Sequence, residues 1–234
     1  MHRARLGRYG LLSITGDDAR DFLHAQLTND IQGLAADRAA LAGWCSAQGR
    51  LLATFLVVPA PQGFLLQVAR DIAPAVAKRL SMFVLRSKVK IETVDRVQDG
   101  LWDADFQQPD VAWKDGVATV RVGERRYLQI GSTEQPNATE EDWILGEIRA
   151  GRPFISSATQ DKFVPQMVNL EKLGGVDFQK GCYPGQEIVA RAQYRGQVKR
   201  RMVQMQGAAK PGEEFAGGTV VDAARGELLV VAPV

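Results

Sequence analysis

The sequence predicts an α+β fold. Short segments carry apolar residues at helical spacing, and several β-rich runs are bounded by glycine and proline. Residues 51–94 read strand–strand–helix–strand, without the strict βα alternation of a parallel sheet.

Each element has a local reason. Thr15-Gly16-Asp17-Asp18 offers an N-cap and acids for a first turn, and Ala19, Phe22, Leu23, Leu27 and Ile31 follow at helical spacing. Leu51 to Val58 is apolar and β-rich. Pro59 to Gly63 interrupts it and Phe64 to Val68 resumes, predicting a hairpin with a five-residue loop. Asp71 caps a second helix with Pro74 in its first turn and Val76, Leu80, Phe83 and Val84 as its buried stripe. Ser87 to Val94 alternates as a half-buried strand. The pattern weakens from Asp99 to Asp115, with a loop at Gln107–Asp110. Val117–Val122 and Tyr127–Ile130 form a hairpin around Gly123. Ser132–Glu141 is polar, contains Pro136 and reads as a linker before Trp143. Three short β-like pieces close the chain, at Met202–Gln206, Gly218–Val221 and Glu227–Val231.

Composition narrows the chemistry. With 234 residues, 45% hydrophobic and 24% charged, the chain can bury a core without a disulfide or metal staple. The two cysteines and two histidines, at positions 2, 24, 45 and 182, have no zinc-site spacing and cannot supply four thiolates to an iron–sulfur cluster. Neither His2 nor His24 has a ligand partner at a recognisable spacing, so no resident metal is expected. The longest apolar run, Phe55–Ala60, is far shorter than the roughly 20 residues of a spanning helix. No apolar h-region follows the basic start, so a cytoplasmic protein without membrane partners is expected. Phosphate loops, dinucleotide fingerprints, nucleophile elbows and zincin motifs are absent from the sequence.

One stretch stands out, Gly174 to Arg191. It reads as a short strand, a tight glycine turn and a helix entered at Pro184. Cys182 then lies at or just before the first helical turn, where free N–H groups and the helix dipole favour an anion. Lys180 acts in the same direction, and Gly181 and Gly185 permit close backbone approach. The commoner reading of a lone cysteine, a small buried hydrophobe, stands beside this one. Between Lys180 and Arg201 six cations, Lys180, Arg191, Arg195, Lys199, Arg200 and Arg201, face only Glu187, whereas the chain as a whole carries +2. Such a cluster suits a phosphate backbone or a polycarboxylate tail, or is simply a solvated face.

Lys180-Gly181-Cys182-Tyr183-Pro184-Gly185-Gln186-Glu187 closely resembles the K-G-C-[FY]-x-G-Q-E signature of the YgfZ family of folate-binding proteins, relatives of the aminomethyltransferase of glycine cleavage. Phe163-Val164-Pro165-Gln166-Met167-Val168-Asn169-Leu170 is similar to the family's F-[IV]-P-Q-x-x-N-L. Ala190-Arg191, Arg195-Gly196 and Lys199-Arg200 resemble its continuation. Phe22 to Asp30 resembles its F-L-x-x-Q-L-T-N-D, and Cys45-Ser46-Ala47-Gln48-Gly49-Arg50 its C-x-x-[KQ]-G-[KR].

The resemblance implies α+β units of ferredoxin-like type around a central folate channel. Residues 1–201 are then the folate-binding region, two interleaved units with a break near 132–142. Residues 202–234 are an abbreviated C-terminal β-barrel-like module. It implies tetrahydrofolate, free or polyglutamylated, as cofactor. It implies a role in assembly or repair of iron–sulfur clusters, with assembly factors or client enzymes such as tRNA-thiolating enzymes as partners. Cys182 becomes the functional thiol, with Lys180, Gly181, Tyr183, Gly185, Gln186, Glu187, Arg191, Arg149 and Asn29 around the cofactor; Cys45 matches a less widely shared cysteine.

Two departures qualify it. Where the aminomethyltransferase carries an acidic pair that activates the folate nitrogen, this chain has Leu51-Leu52-Ala53-Thr54. Ala53 and Thr54 offer no general base, which disfavours one-carbon transfer. Where many relatives read the pterin with Glu-Ala-Gly, this chain has Arg149-Ala150-Gly151, with Glu147 two residues away. Direct tRNA binding by the basic cluster is the less favoured alternative, because only Tyr183 and Tyr194 are interleaved with it.

Overall fold

The computed structural model describes residues 1–196 and 198–234. Strands β1 (His2–Arg5) and β2 (Tyr9–Thr15) lead into helix α1 (Ala19–Gln26). Strands β3 (Ala40–Cys45), β4 (Leu51–Ala60) and β5 (Gly63–Ala69) precede helix α2 (Ala73–Ser81). Then come β6 (Lys90–Thr93), β7 (Gln98–Trp102), β8 (Val111–Lys114), β9 (Val117–Gly123) and β10 (Arg126–Ile130). Helix α3 (Glu140–Arg149), a 3-10 turn at Pro165–Val168 and helix α4 (Gln186–Tyr194) follow. The chain closes on β11 (Arg200–Gln206), β12 (Glu214–Phe215), β13 (Gly218–Ala224) and β14 (Glu227–Pro233).

The chain divides into two compact units, each assembled from separated segments. The first holds Met1–Ala19, Gly33–Ala40 and Leu56–Trp143; the second holds Arg20–Gln32, Leu41–Phe55 and Ile144–Val234. The division falls inside α3, whose start is fixed by a reciprocal cap. The Asp142 amide donates to Thr139 Oγ1 and the Thr139 amide donates to Asp142 Oδ2.

In the first unit an antiparallel sheet runs β1-β7-β10-β9-β8. Its charged centre is satisfied: buried Asp99 accepts from Arg3 at 3.0 Å and Arg5 at 2.6 Å. A second sheet pairs β5 with β2 from Tyr9↔Ala69 to Thr15↔Gly63, and with the later half of β4. That hairpin is tighter than the sequence suggests. Pro59 and Ala60 stay in the strand opposite Phe64 and Gly63, leaving Pro61-Gln62 as the turn. Gly63, at φ +133°, makes the reversal short. Helix α2 also ends early. It stops at Ser81, so Phe83 lies exposed instead of extending the Val76–Leu80 stripe, and the cap residue is Ile72, not Asp71.

In the second unit the C-terminal sheet runs β11-β14-β13-β12 and is apolar on both faces. Val221, Leu229 and Val231 point into the main core with Cys45, Phe163, Tyr183 and Val189. Their alternates Val220, Leu228 and Val230 form a smaller cluster with Met205 and Phe215. The two-residue period of strands thus ties residues 202–234 into the core beneath the Cys182 loop. No helix among the described residues is long and apolar enough to cross a membrane.

Candidate functional site

All five motif segments of the sequence lie in the second unit. The first provides a bolt. Beyond α1, the Thr28 hydroxyl accepts the Gly43 amide at 2.7 Å and donates to the Gly175 carbonyl at 2.6 Å. The Asn29 amide group donates to the Leu41 and Gly174 carbonyls, both at 2.7 Å, while its oxygen accepts the Asp30 amide. Asn29 therefore spends its polar atoms on backbone, a use its residue type alone does not reveal.

The bolt positions the signature loop. Asp177 donates its amide to the Thr28 carbonyl at 2.9 Å, and its carboxylate accepts the amides of Gln179 and Lys180. Lys180 then turns inward. Its ammonium donates to the carbonyls of His24 and Leu27, the latter at 2.7 Å, and sits 4.9 Å from the centre of the Tyr183 ring. Carbonyls at a helix C-terminus lack intrahelical donors and carry the negative end of the dipole, so a cation is the fitting cap. The location is nearly dry, at 9% exposure, and burial lowers the ammonium from its ordinary range to about 8, against the pull of Asp30, Asp177 and Cys182.

Tyr183 is buried, and desolvation pushes its phenol up. Gly185 follows in a left-handed conformation, φ +77°, and caps α4. A β-carbon on Gly185 would collide with the Ser46 carbonyl and stand 2.6 Å from the Gly49 α-carbon. Gly49 is itself left-handed, and a β-carbon there would stand 2.9 Å from the Ile188 β-carbon. The Cys45–Arg50 and Lys180–Glu187 segments thus meet glycine against glycine.

Helix α4 begins at Gln186, not at Pro184, and the stretch before it is loop instead of strand. The left-handed Gly185 cap delays the helix, so Cys182 stands ahead of its first turn, where the dipole has faded. Cys182 is exposed; Cys45 is buried in the core, and desolvation pushes its thiol up to about 12. Gln186 is half-buried, and Glu187, like Cys182, is exposed.

The basic cluster separates into two groups. Lys180 caps α1, Arg201 binds Glu171 and the Gln166 carbonyl, and Arg200 donates to the Gly217 and Val231 carbonyls. Arg191, Arg195 and Lys199 remain exposed, with no side-chain partner among the described residues. Arg149 is exposed and grips Glu227 through two nitrogens, at 2.6 and 3.0 Å, which raises the guanidinium and lowers the carboxyl. Glu147 is buried, 3.7 Å from Arg152. Ala53 is buried and the Thr54 hydroxyl donates to the Pro153 carbonyl.

Residues the sequence reading passed over hold this frame together. Buried Gln166 donates to the Val189 carbonyl at 2.7 Å, and Asn169, left-handed at φ 56°, donates to Met202 at 2.7 Å. Their place in the Phe163–Leu170 motif was the available signal; their partners were not.

No protein-family model matches the chain. The structure of glycine cleavage system aminomethyltransferase T from Bartonella henselae aligns with TM-score 0.71 over 99% of this chain and 78% of that one. At 14% identity that likeness establishes the fold, an aminomethyltransferase-like α+β fold. An uncharacterized protein from Haemophilus influenzae is 35% identical over 223 residues, 90% of this chain and 76% of that protein. The tRNA-modifying protein YgfZ of Pectobacterium carotovorum is 31% identical, with 87% and 70% covered. Its counterpart from Vibrio vulnificus is 30% identical over 227 residues, 88% of this chain and 70% of that protein. Similarity of this extent shows that the chain belongs to the YgfZ family.

Proposed function

We propose that this protein binds tetrahydrofolate and assists the assembly or repair of iron–sulfur clusters, supporting enzymes such as those that thiolate tRNA. The single observation that carries the reading is the exposed Cys182 on a loop pinned on both sides, by Lys180 through α1 and by Gly185 through Gly49. A thiolate on a fixed loop offers one soft ligand, or one acceptor for sulfur, to a cluster that is cargo. Cys45 is buried in the core, so further ligands come from the partner. The relatives' description as tRNA-modifying proteins supports the client class.

The residues fit a folate in part. Arg191, Arg195 and Lys199 suit the carboxylates of a polyglutamyl tail. Arg149 is engaged by Glu227 and Glu147 is buried 3.7 Å from Arg152, so reading the pterin with either requires breaking an ion pair. Bound tetrahydrofolate supplies a one-carbon carrier; the chain supplies cations and the thiol. No carboxylate lies at Leu51–Thr54 to activate a folate nitrogen, so aminomethyl transfer has no support there.

Thiolated tRNA nucleosides, quantified in cells carrying Cys182→Ala, test the reading. A loss of thiolation under oxidative stress is expected, and wild-type levels would refute the role of Cys182. Calorimetric titration of tetrahydrofolate tests the cofactor, and no heat of binding to the intact protein would remove folate from the proposal.

A further inference from the structure

Helix α4 carries a face that the core does not use. Val189 turns inward and is fully buried, and its carbonyl accepts from the Gln166 amide group. At 3.6 residues per turn, Glu187, Ile188, Arg191, Tyr194 and Arg195 share the opposite side, and all five are exposed. Tyr194 is 70% exposed, yet its ring is fixed. It meets Phe178 edge to face with 6.0 Å between centroids, and Phe178 packs against the main core. Most of an anchored aromatic ring thus stands open to solvent.

Charge around that ring is one-sided. Arg191 and Arg195 precede and follow Tyr194 on the same face, and Lys199 lies beyond the helix; none has a side-chain partner among the described residues. Of the acids, Glu187 lies about two turns before Tyr194. The Asp177 carboxylate is held by the Gln179 and Lys180 amides. Beside the last turn of α4 opens a cleft of about 420 Å³, whose lining includes Gln193, Lys199 and Arg201.

We propose that the exposed face of α4, with the cleft at its end, binds RNA: the cations take phosphates and Tyr194 stacks on an unpaired base. This goes beyond the proposed function, in which tRNA is only the substrate of client enzymes. Charge alone fits any polyanion, a polyglutamyl folate tail included. The ring decides between them. A polyglutamate chain has no flat face to stack, whereas the splayed bases of an RNA loop are recognised by stacking on aromatic side chains. A regular RNA duplex offers phosphates but keeps its bases stacked on one another. Tyr183, the other aromatic among these cations, is buried and takes no part. The ring's support comes instead from Phe178, which lies outside the basic stretch, so the sequence alone undervalues the surface.

The test is fluorescence anisotropy with the purified full chain, without folate, and two labelled probes: an RNA stem–loop with an unpaired loop and an RNA duplex of equal length. The stem–loop is expected to bind more tightly, its log K falling against log salt with a slope of about −2 to −3 for the three cations. Tyr194→Ala should weaken stem–loop binding about tenfold while keeping the salt slope and the duplex affinity, and Tyr194→Phe should restore it. Arg191→Gln combined with Arg195→Gln should weaken both probes and flatten the slope by about 1.5–2. All three positions are exposed, so the variants are expected to keep the fold. No stem–loop binding at about 50 mM salt, or binding indifferent to Tyr194→Ala, overturns the proposal. So does a polyglutamate peptide that binds as tightly as the stem–loop, which would assign the face to a carboxylate tail. Cellular thiolation in Cys182→Ala reports on the thiol independently, so failure of either idea is recognisable.

Discussion

Lys180→Met probes the dry lysine most directly. Burial lowers the Lys180 ammonium from 10.5 to about 8, so between these values the unfolded chain binds a proton that the folded chain does not. Stability contributed by this position therefore rises with pH through that window. Below pH 8 the folded state carries the cost of a buried cation; above it the neutral amine still donates to the carbonyls of His24 and Leu27. Between pH 7 and 9.5 a shift of this size corresponds to about 1–2 kcal/mol. Methionine cannot titrate. Urea unfolding of wild type and Lys180→Met at both pH values gives a double difference from which all other titrations cancel. The wild type should gain about 1–2 kcal/mol on the variant as pH rises. Parallel pH dependence, or a wild type that loses ground, would refute the account of Lys180 as a charge buried on a helix end.

Gly185→Ala places a β-carbon against the Ser46 carbonyl and the Gly49 backbone at φ +77°, so urea unfolding should show a loss of about 2–4 kcal/mol; a loss below about 0.5 kcal/mol would mean the two loops part freely. In native protein at mildly alkaline pH, iodoacetamide should modify Cys182 while Cys45, buried and pushed up to about 12, reacts only after denaturation; equal rates would contradict its burial. Arg149→Glu sets a carboxylate against half-buried Glu227, so its unfolding midpoint should lie below wild type at low ionic strength and approach it at about 1 M salt. Gly100→Ala drives a methyl group into the Trp143 ring, and a cost of about 1–3 kcal/mol is expected in thermal unfolding.

Local patterns proved readable where neighbours in sequence are neighbours in space. The α1 stripe and the β9–β10 and β13–β14 hairpins each rest on contacts within a few residues. Readings failed where a single backbone conformation decided the outcome. Left-handed Gly185, not Pro184, opens α4 and leaves Cys182 outside the helix. Pro59 stays in a strand that its type normally ends. The motifs of the site were legible as motifs, but their duties were not, because the partners are remote. Lys180 reads as one cation among six until it is seen on α1, more than 150 residues earlier, and Asn29 reads as a ligand until its amide is seen on Leu41 and Gly174.

The interleaved division of the chain bears on the order in which the protein can be made. The polypeptide passes between the two units five times, at Ala19/Arg20, Gln32/Gly33, Ala40/Leu41, Phe55/Leu56 and Trp143/Ile144. On a ribosome, α1 and the Cys45 loop emerge long before Lys180 and Gly185, the groups that secure them. Cys45 and Leu51, both buried in the finished protein against Ile148, Phe163 and Tyr183 among others, must wait through about a hundred residues of synthesis for those neighbours. Closing such long loops is slow, and exposed apolar surface invites association meanwhile. A nascent chain released before Lys180 lacks the Cys182 thiol and the parts that pin its loop, so the site appears only late in synthesis.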